Sequence, residues 1–273
     1  MTEALSKKID SLPPLPKTII DLEEFKRSPQ KDLDVLEEII SHDPLIVATL
    51  LKVSNSAMFG FNNKVETASR AIHLLGVNFT LSIAFGSAIK NALDTDLGAY
   101  GINADQFMTI ANTSSNFLKE WLKKVDATLR EELLLPVFLL ETGRFVLSGL
   151  AIEEGFKDDF LKKVRTNPLE ISATEKEYFN VTTPQVTSSI FSHWNLSESL
   201  VEMIKYADDV ENCPPKYKKE AQILDIVRTI CNVTDPLAEK FAEAGIEKAK
   251  QYGLDVKNLE KAIETMQDRL LEA

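Results

Sequence analysis

The strongest constraint on the fold is the spacing of apolar residues, which repeats every three or four positions along successive short segments. In residues 17–25 the apolar side chains Ile19, Leu22 and Phe25 recur at three-residue steps, and residues 33–40 repeat the pattern. Spacing of this kind places apolar groups on one side of a helix, whereas a half-buried strand would alternate. The sequence therefore predicts an all-α fold.

The longest apolar run, Leu133–Leu140, is the best candidate for a strand. It contains Pro136, which is poorly tolerated in a central strand because it cannot donate a ladder hydrogen bond. We therefore predict a pair of buried helices around Gly143 instead.

The stretch Asp94–Asn103 holds two glycines, two aspartates and few large apolar groups, so it is the favoured boundary between two packed helical lobes. The predicted lobes are residues 1–95 and 100–273. In the second lobe we expect helices over 104–124, 131–142, 144–154, 183–194, 197–206, 216–233 and 255–271.

Composition excludes several classes of function. With 31 Lys+Arg against 42 Asp+Glu, the net charge is −11, which repels nucleic acid and anionic lipid. Two Cys cannot form a disulfide framework, and three His leave little material for a metal cluster. No apolar run approaches the ~18 residues that span a bilayer. We expect a cytoplasmic protein with no cofactor, no nucleic-acid partner and no membrane insertion.

The dipeptide His42-Asp43 is of the kind that binds metal in phosphohydrolases, but Pro44 follows it directly. Asp before Pro is typical of a helix start, with the carboxylate as N-cap and proline in the first turn. We favour the capping interpretation over a metal ligand.

Other titratable residues allow chemical interpretations, each with a commoner structural one. Acidic residues near His193 could do acid–base work, although most such groups are solvated helix faces in a chain this acidic. They are Glu175, Glu177, Asp208 and Asp209. His73 is expected to be a partly buried, hydrogen-bonded imidazole.

Four motifs occur in order over the first third of the chain. They are Leu12–Pro16, Ile39–Leu45, Leu50–Ala57 and Ala71–Gly76. Together they resemble the HDOD family, a helical output domain related to the metal-dependent HD and HD-GYP phosphohydrolases. The similarity covers about residues 10–210 and implies that the second lobe is a modified HD-type, phosphodiesterase-like bundle.

The resemblance also implies where a metal site would lie. The HD dipeptide of the catalytic relatives falls at Leu140-Glu141, and their later ligands fall near Thr183, at Ala207-Asp208 and near Arg228. Leucine and alanine cannot ligate a metal, and a guanidinium repels a cation. We expect that the metal site is lost.

A retained scaffold without metal ligands implies a non-catalytic bacterial regulatory module, in signalling or motility control, that binds an unidentified protein or a small ligand. The candidate contact surface is a groove between the lobes near Asn55, Ser56 and Phe59; interdomain packing is the commoner explanation of such residues.

Two alternatives remain open. One is a divergent phosphohydrolase of nucleotides or cyclic dinucleotides that uses Glu141, Asp208 and His193. The other is a cyclic dinucleotide binder without hydrolysis, which would require Arg144, Arg165 or Arg228 to line an otherwise acidic pocket.

Overall fold

The computed structural model describes residues 2–59 and 64–271, and within them it contains helices and no strand. The α-helices are α1 Glu3–Asp10, α2 Lys17–Arg27, α3 Leu33–Ser41, α4 Pro44–Ser54, α5 Ala68–Leu75, α6 Val77–Leu93, α7 Ala104–Leu122, α8 Ala127–Leu139, α9 Gly143–Glu153, α10 Lys157–Thr166, α11 Ile171–Phe179, α12 Thr183–His193, α13 Glu198–Lys205, α14 Lys218–Ile230, α15 Glu239–Gln251 and α16 Val256–Leu271. The predicted all-α fold is confirmed.

The apolar run forms helix, as the sequence indicated. Residues 133–139 belong to α8, which accommodates Pro136, and α9 begins at Gly143. The stretch 127–153 is apolar and long enough to cross a membrane by composition alone, but 94% of its most apolar window is buried inside the protein. These two helices form the centre of the core.

Sequence reasoning missed four helices, α1, α10, α11 and α15. Helix α10, with the sequence KDDFLKKVRT, buries only Phe160 and Val164. Its apolar residues Phe160, Leu161 and Val164 share one face but span little more than one turn, which is a short stripe to recognise in a sequence. Such helices are set by neighbouring packing rather than by local pattern.

The two predicted lobes are in contact through α1 and through α6. Helix α1 packs on α9 and α12 of the second lobe, where Lys8 pairs with Glu153 at 2.5 Å. The indole of Trp194 donates a hydrogen bond of 3.0 Å to the carbonyl oxygen of Pro13. Helix α6 lies between α4 and α8, so one continuous apolar core joins the helices on both sides of residues 94–103.

The predicted helix start at Asp43 is confirmed. The Asp43 carboxylate accepts hydrogen bonds from the backbone N–H of Leu45 at 3.0 Å and of Ile46 at 3.3 Å, and Pro44 occupies the first turn of α4. His42 is exposed. This His-Asp pair therefore acts as a helix terminus and not as a metal site.

The expectation for His73 is half right. Its ring nitrogen Nδ1 lies 2.8 Å from the carbonyl oxygen of Ser69, as expected of a hydrogen-bonded imidazole. The side chain is exposed rather than partly buried, because it lies on the outer face of α5 while Ile72 and Leu75 face the core.

Candidate functional site

The site is built on the tight turn between α8 and α9, which approaches α12 closely. The N–H of Gly143 donates to the hydroxyl of Thr187 at 2.8 Å, and that hydroxyl donates to the carbonyl of Leu140 at 2.9 Å. A Cβ at Gly143 would lie 2.5 Å from the carbonyl oxygen of Thr183, so only glycine fits. This contact fixes the position of Glu141 within the turn.

The guanidinium of Arg228, on α14, lies between acidic and hydroxyl groups from three other segments. Its Nε donates to Glu141 Oε1 at 3.1 Å, and one terminal nitrogen donates to Ser172 Oγ at 2.9 Å. The same nitrogen lies 3.5 Å from Asp208 Oδ2, which accepts from the Ser172 hydroxyl at 2.8 Å. We call these four residues, Glu141, Ser172, Asp208 and Arg228, the central cluster.

A second arginine completes the neutralisation of Glu141. Arg144 pairs with Glu141 Oε2 at 2.8 Å, and its guanidinium stacks over the ring of Tyr100 at 5.1 Å from the centroid. The Arg144 side chain is only 5% exposed. Each oxygen of Glu141 therefore faces a cation of the protein.

Within the central cluster, Glu141 and Arg228 each stabilise the charged form of the other. Burial disfavours the anion at Glu141, but Arg144 and Arg228 outweigh it and lower the pKa of the carboxyl. Burial likewise opposes the charge of Arg228, and the carboxylates of Glu141, Asp208 and Glu175 more than compensate, so its pKa is raised. Both groups remain charged at neutral pH.

Glu175, on α11, lies beside this cluster and behaves differently. It accepts hydrogen bonds from the Thr183 N–H at 2.6 Å, the Thr183 hydroxyl at 2.5 Å and the Tyr100 hydroxyl at 2.9 Å. Burial raises the pKa of its carboxyl, and the nearby arginines and the Thr183 hydrogen bonds offset only part of that effect. Glu175 thus orders the start of α12.

The structure brings together some of the residues predicted for the degenerate metal pocket. Arg228 contacts both Glu141 and Asp208. Thr183 donates a hydrogen bond to Glu175, which lies beside these residues. Leu140 and Ala207 are buried, and neither side chain carries a metal-binding atom. Within the described residues, no group of three or more His, Cys, Asp and Glu is arranged to hold a metal ion.

The other acidic residues considered with His193 are dispersed. His193 lies at the far end of α12, 4.0 Å from Asp10, and about 15 Å along the helix from Thr183 at 1.5 Å per residue. Glu177 pairs with Lys163 on the surface. The structure does not bring His193 to Glu141 or Asp208.

Two of the predicted groove residues, Asn55 and Phe59, contact other residues of the predicted first lobe. The Asn55 side chain donates to the carbonyls of Leu51 and Val65 and accepts from the Val65 N–H, each at 2.8 Å, so it holds the chain after α4 in place. Ser56 is exposed. Phe59 packs on Phe79 with ring centroids 5.7 Å apart.

A pocket of about 440 Å³ opens beside the central cluster. Sequence reasoning missed several of its residues, including Ser172, Asp225, Lys248 and Tyr252. Asp225 accepts from Lys248 and from the Tyr252 hydroxyl, each at 2.7 Å. These partners are distant in the sequence and carry no recognisable motif, so no local signal could have joined them.

Comparisons with known proteins place the chain in a family. The model of the HDOD domain matches residues 12–210. The chain therefore belongs to the HDOD domain family, as the ordered motifs predicted. A Treponema pallidum protein of uncharacterized function is 22% identical over 223 residues, which are 80% of this chain and 42% of that protein. The chain thus spans less than half the length of that curated relative.

Three solved structures share the fold. A Campylobacter jejuni virulence factor is 28% identical, with a TM-score of 0.56 and 95% of each chain covered. A Shewanella amazonensis protein, provisionally described as a phosphohydrolase, is 21% identical, with a TM-score of 0.71 and coverage of 98% and 96%. An HDOD domain protein of unknown function from Geobacter sulfurreducens is 14% identical, with a TM-score of 0.72 and coverage of 98% and 92%.

Proposed function

We propose that this chain is a non-catalytic regulatory domain of bacterial signal transduction that acts in the cytoplasm by binding a protein partner or a small ligand. The observation that carries the proposal is the position of the Arg228 guanidinium, which contacts both Glu141 and Asp208. These are the only carboxylates at the positions that the family resemblance assigned to metal ligands.

The chemistry of this donor set does not fit a metal centre. A divalent ion bound by Glu141 and Asp208 would lie against two guanidinium groups, which are permanently charged and cannot ligate. A metal that activates water needs several deprotonated ligands in a fixed shell, and here the carboxylates are already paired. The alternative of a divergent phosphohydrolase also loses His193, which lies elsewhere on α12.

The HDOD relatives are consistent with either activity or its absence, since one is provisionally described as a phosphohydrolase and another has no known function. The central cluster and the family membership together support our proposal that the chain regulates through binding. The regulated process that we propose is signalling or motility control.

A hydrolysis assay tests the proposal. With bis(p-nitrophenyl) phosphate as a generic phosphodiester and Mn²⁺, Fe²⁺ or Mg²⁺ added in turn, we expect wild-type protein and Glu141→Gln to show the same background rate. Metal-dependent turnover by the wild type that disappears in Glu141→Gln and Asp208→Asn would establish the phosphohydrolase instead.

For a protein partner, we propose contact at the turn after α4. Ser56 is exposed there, and the sulfur of the next residue but one, Met58, accepts a hydrogen bond from Asn116 of α7 at 3.2 Å. A partner at this turn would touch the connection between the lobes. Ser56→Arg should weaken such binding, whereas Ser41→Arg, an exposed change at the end of α3, should not.

A further inference from the structure

A second pocket lies beside α7 and has a largely apolar lining. It has a volume of about 480 Å³ and is formed by residues 100–102, the first half of α7, the end of α10, the loop 233–236 and the end of α16. The volume is in the range usual for small-molecule sites. We call it the α7 pocket, and its apolar lining consists of Tyr100, Ile102, Ile110, Val233, Pro236 and Leu270.

The loop that forms one wall of the α7 pocket is held by hydrogen bonds at both ends. The Asn232 side chain accepts from the N–H and the hydroxyl of Thr234 at 3.0 and 2.8 Å, and it donates to the carbonyl of Pro168 at 2.7 Å. At the other end, the N–H of Leu237 donates to the carbonyl of Ile230 at 2.8 Å. The pocket is therefore formed before any ligand binds, as is usual for small-molecule sites.

Two charged residues of opposite sign complete the lining of the α7 pocket. The Arg165 guanidinium lies against the 100–102 turn, since a Cβ added at Gly101 would be 3.2 Å from one of its terminal nitrogens. Asp235 belongs to the loop wall. Among the residues that the structure describes, these two side chains make no ion pair and no hydrogen bond, with each other or with a neighbour. The described lining thus presents a free cation and a free anion beside an apolar surface.

We propose that the α7 pocket binds a free amino acid with an apolar side chain, whose carboxylate pairs with Arg165 and whose ammonium group pairs with Asp235. The guanidinium fork matches a carboxylate, and an ammonium group has three donors for the aspartate. An apolar acid without an amine would be repelled by Asp235, and an apolar amine without a carboxylate would be repelled by Arg165. A molecule that carries both charges and an apolar group uses the whole lining.

Tyr100 joins the α7 pocket to the central cluster. Its ring lines the pocket, its hydroxyl donates to Glu175 at 2.9 Å, and the Arg144 guanidinium stacks over the same ring. Arg144 in turn pairs with Glu141 of the cluster at 2.8 Å. A bound amino acid would therefore contact a residue that touches two buried charged side chains. The inference rests on the proposed function, because it names the class of small ligand through which the domain would be regulated.

Isothermal titration calorimetry on the full chain, with three probes that share one branched apolar group, tests the assignment. They are L-leucine, 4-methylpentanoate, which lacks the amine, and 3-methylbutylamine, which lacks the carboxylate. We expect saturable binding of L-leucine. Either analogue should bind roughly tenfold more weakly, because each loses one charge-assisted contact.

Variants of the two charged residues locate these contacts. Arg165→Gln should weaken L-leucine binding by roughly tenfold but should not weaken binding of 3-methylbutylamine, which has no carboxylate to lose. Asp235→Asn should weaken L-leucine binding by about threefold to tenfold but should not weaken binding of 4-methylpentanoate. Both side chains are exposed, so we expect both variants to fold. The matched controls, which make the same exposed changes outside the pocket and should leave every affinity unchanged, are Arg70→Gln and Asp34→Asn.

Absence of saturable L-leucine binding, equal affinity of wild type and Arg165→Gln, or binding of either analogue as tight as that of L-leucine would each overturn the amino-acid site. None of these results bears on the proposed loss of hydrolysis, which the phosphodiester assay decides separately. Metal-dependent hydrolysis would in turn overturn the proposed function without changing the affinity for L-leucine.

Discussion

Two acidic sites in this chain, Asp43 at the surface and the buried pair Glu141 and Asp208, have different surroundings. The literal His-Asp pair, His42-Asp43, lies on the surface, where the aspartate caps α4 and the histidine is exposed. The buried site that we propose as a lost metal pocket holds no histidine among the residues that the structure describes, and Arg228 lies there between Glu141 and Asp208. Comparison of the two shows that burial and partners, rather than the dipeptide, decide what a carboxylate does.

The two sites also differ in what their charges contribute. Asp43 faces backbone N–H groups at a helix end, and water can replace it there. Glu141 faces two cations that are themselves buried, so removal of one member leaves the others unpaired. The comparison therefore predicts large effects at the central cluster and small ones at the cap.

The largest effect is expected for Arg228→Met, which leaves Glu141 and Asp208 without their shared cation. We expect a loss of about 3–5 kcal/mol in the free energy of unfolding, measured by urea denaturation. The matched control is Arg269→Met, which breaks the more exposed pair with Glu120 at 3.2 Å and should cost at most about 1 kcal/mol.

A double variant sharpens this result. Arg228→Met with Glu141→Gln should be less destabilised than the sum of the two single variants, because each removes the charge that the other leaves unpaired. Strict additivity would mean that Arg228 contributes through packing alone, and the comparison between the two sites would fail.

A pH-dependent effect is expected at Glu175. Because its folded-state pKa is raised, the native protein retains this proton at a pH where the unfolded chain has lost it. The stability contributed by the carboxyl is thus greatest below the unfolded pKa, and it falls as pH rises through the folded pKa, by about 1.4 kcal/mol per unit of pKa difference.

Glu175→Gln cannot ionise and should lack this decline. The unfolding free energy of the wild type minus that of the variant should therefore decrease between pH 4.5 and 7, as measured by urea denaturation at each pH. A difference that grows with pH would show that Glu175 is held as an anion, like its neighbour Glu141.

The smallest effects are expected at the surface pair. Asp43→Ala should cost about 1 kcal/mol through loss of the helix cap, and Asp43→Asn, which can still accept the N–H hydrogen bonds, should cost less. His42→Ala should change stability by no more than about 0.5 kcal/mol, because the side chain is exposed. A larger effect of His42 than of Asp43 in thermal unfolding would contradict the capping role.

The parts of the fold that were predictable are those set by local pattern. The cap at Asp43 and the helix pair around Gly143 depend on neighbours in the sequence. Helix α10 was missed since it buries only two apolar side chains, and the placement of α1 on α9 depends on contacts with distant residues.

The site was predictable only in part, for the same reason. The family resemblance suggested Glu141 and Arg228 as positions of a metal pocket, a correspondence that stays a prediction. These residues are 87 positions apart, and nothing in the local sequence predicts their ion pair. Ser172, Tyr100 and Asp225 carry no motif, and their roles follow from the packing of helices. The burial of Glu175 could not be inferred from an acidic residue in a strongly acidic chain.

The central proposal is that Arg228 and Arg144 supply the counter-charge of Glu141 and Asp208, so that the site holds no metal ion. Elemental analysis of purified protein, after incubation with Mn²⁺, Fe²⁺ or Zn²⁺ and removal of unbound ions, tests it most directly. We predict that the wild type retains no stoichiometric metal. Retention of one or more ions per chain by the wild type, reduced in Glu141→Gln and Asp208→Asn, would contradict the account.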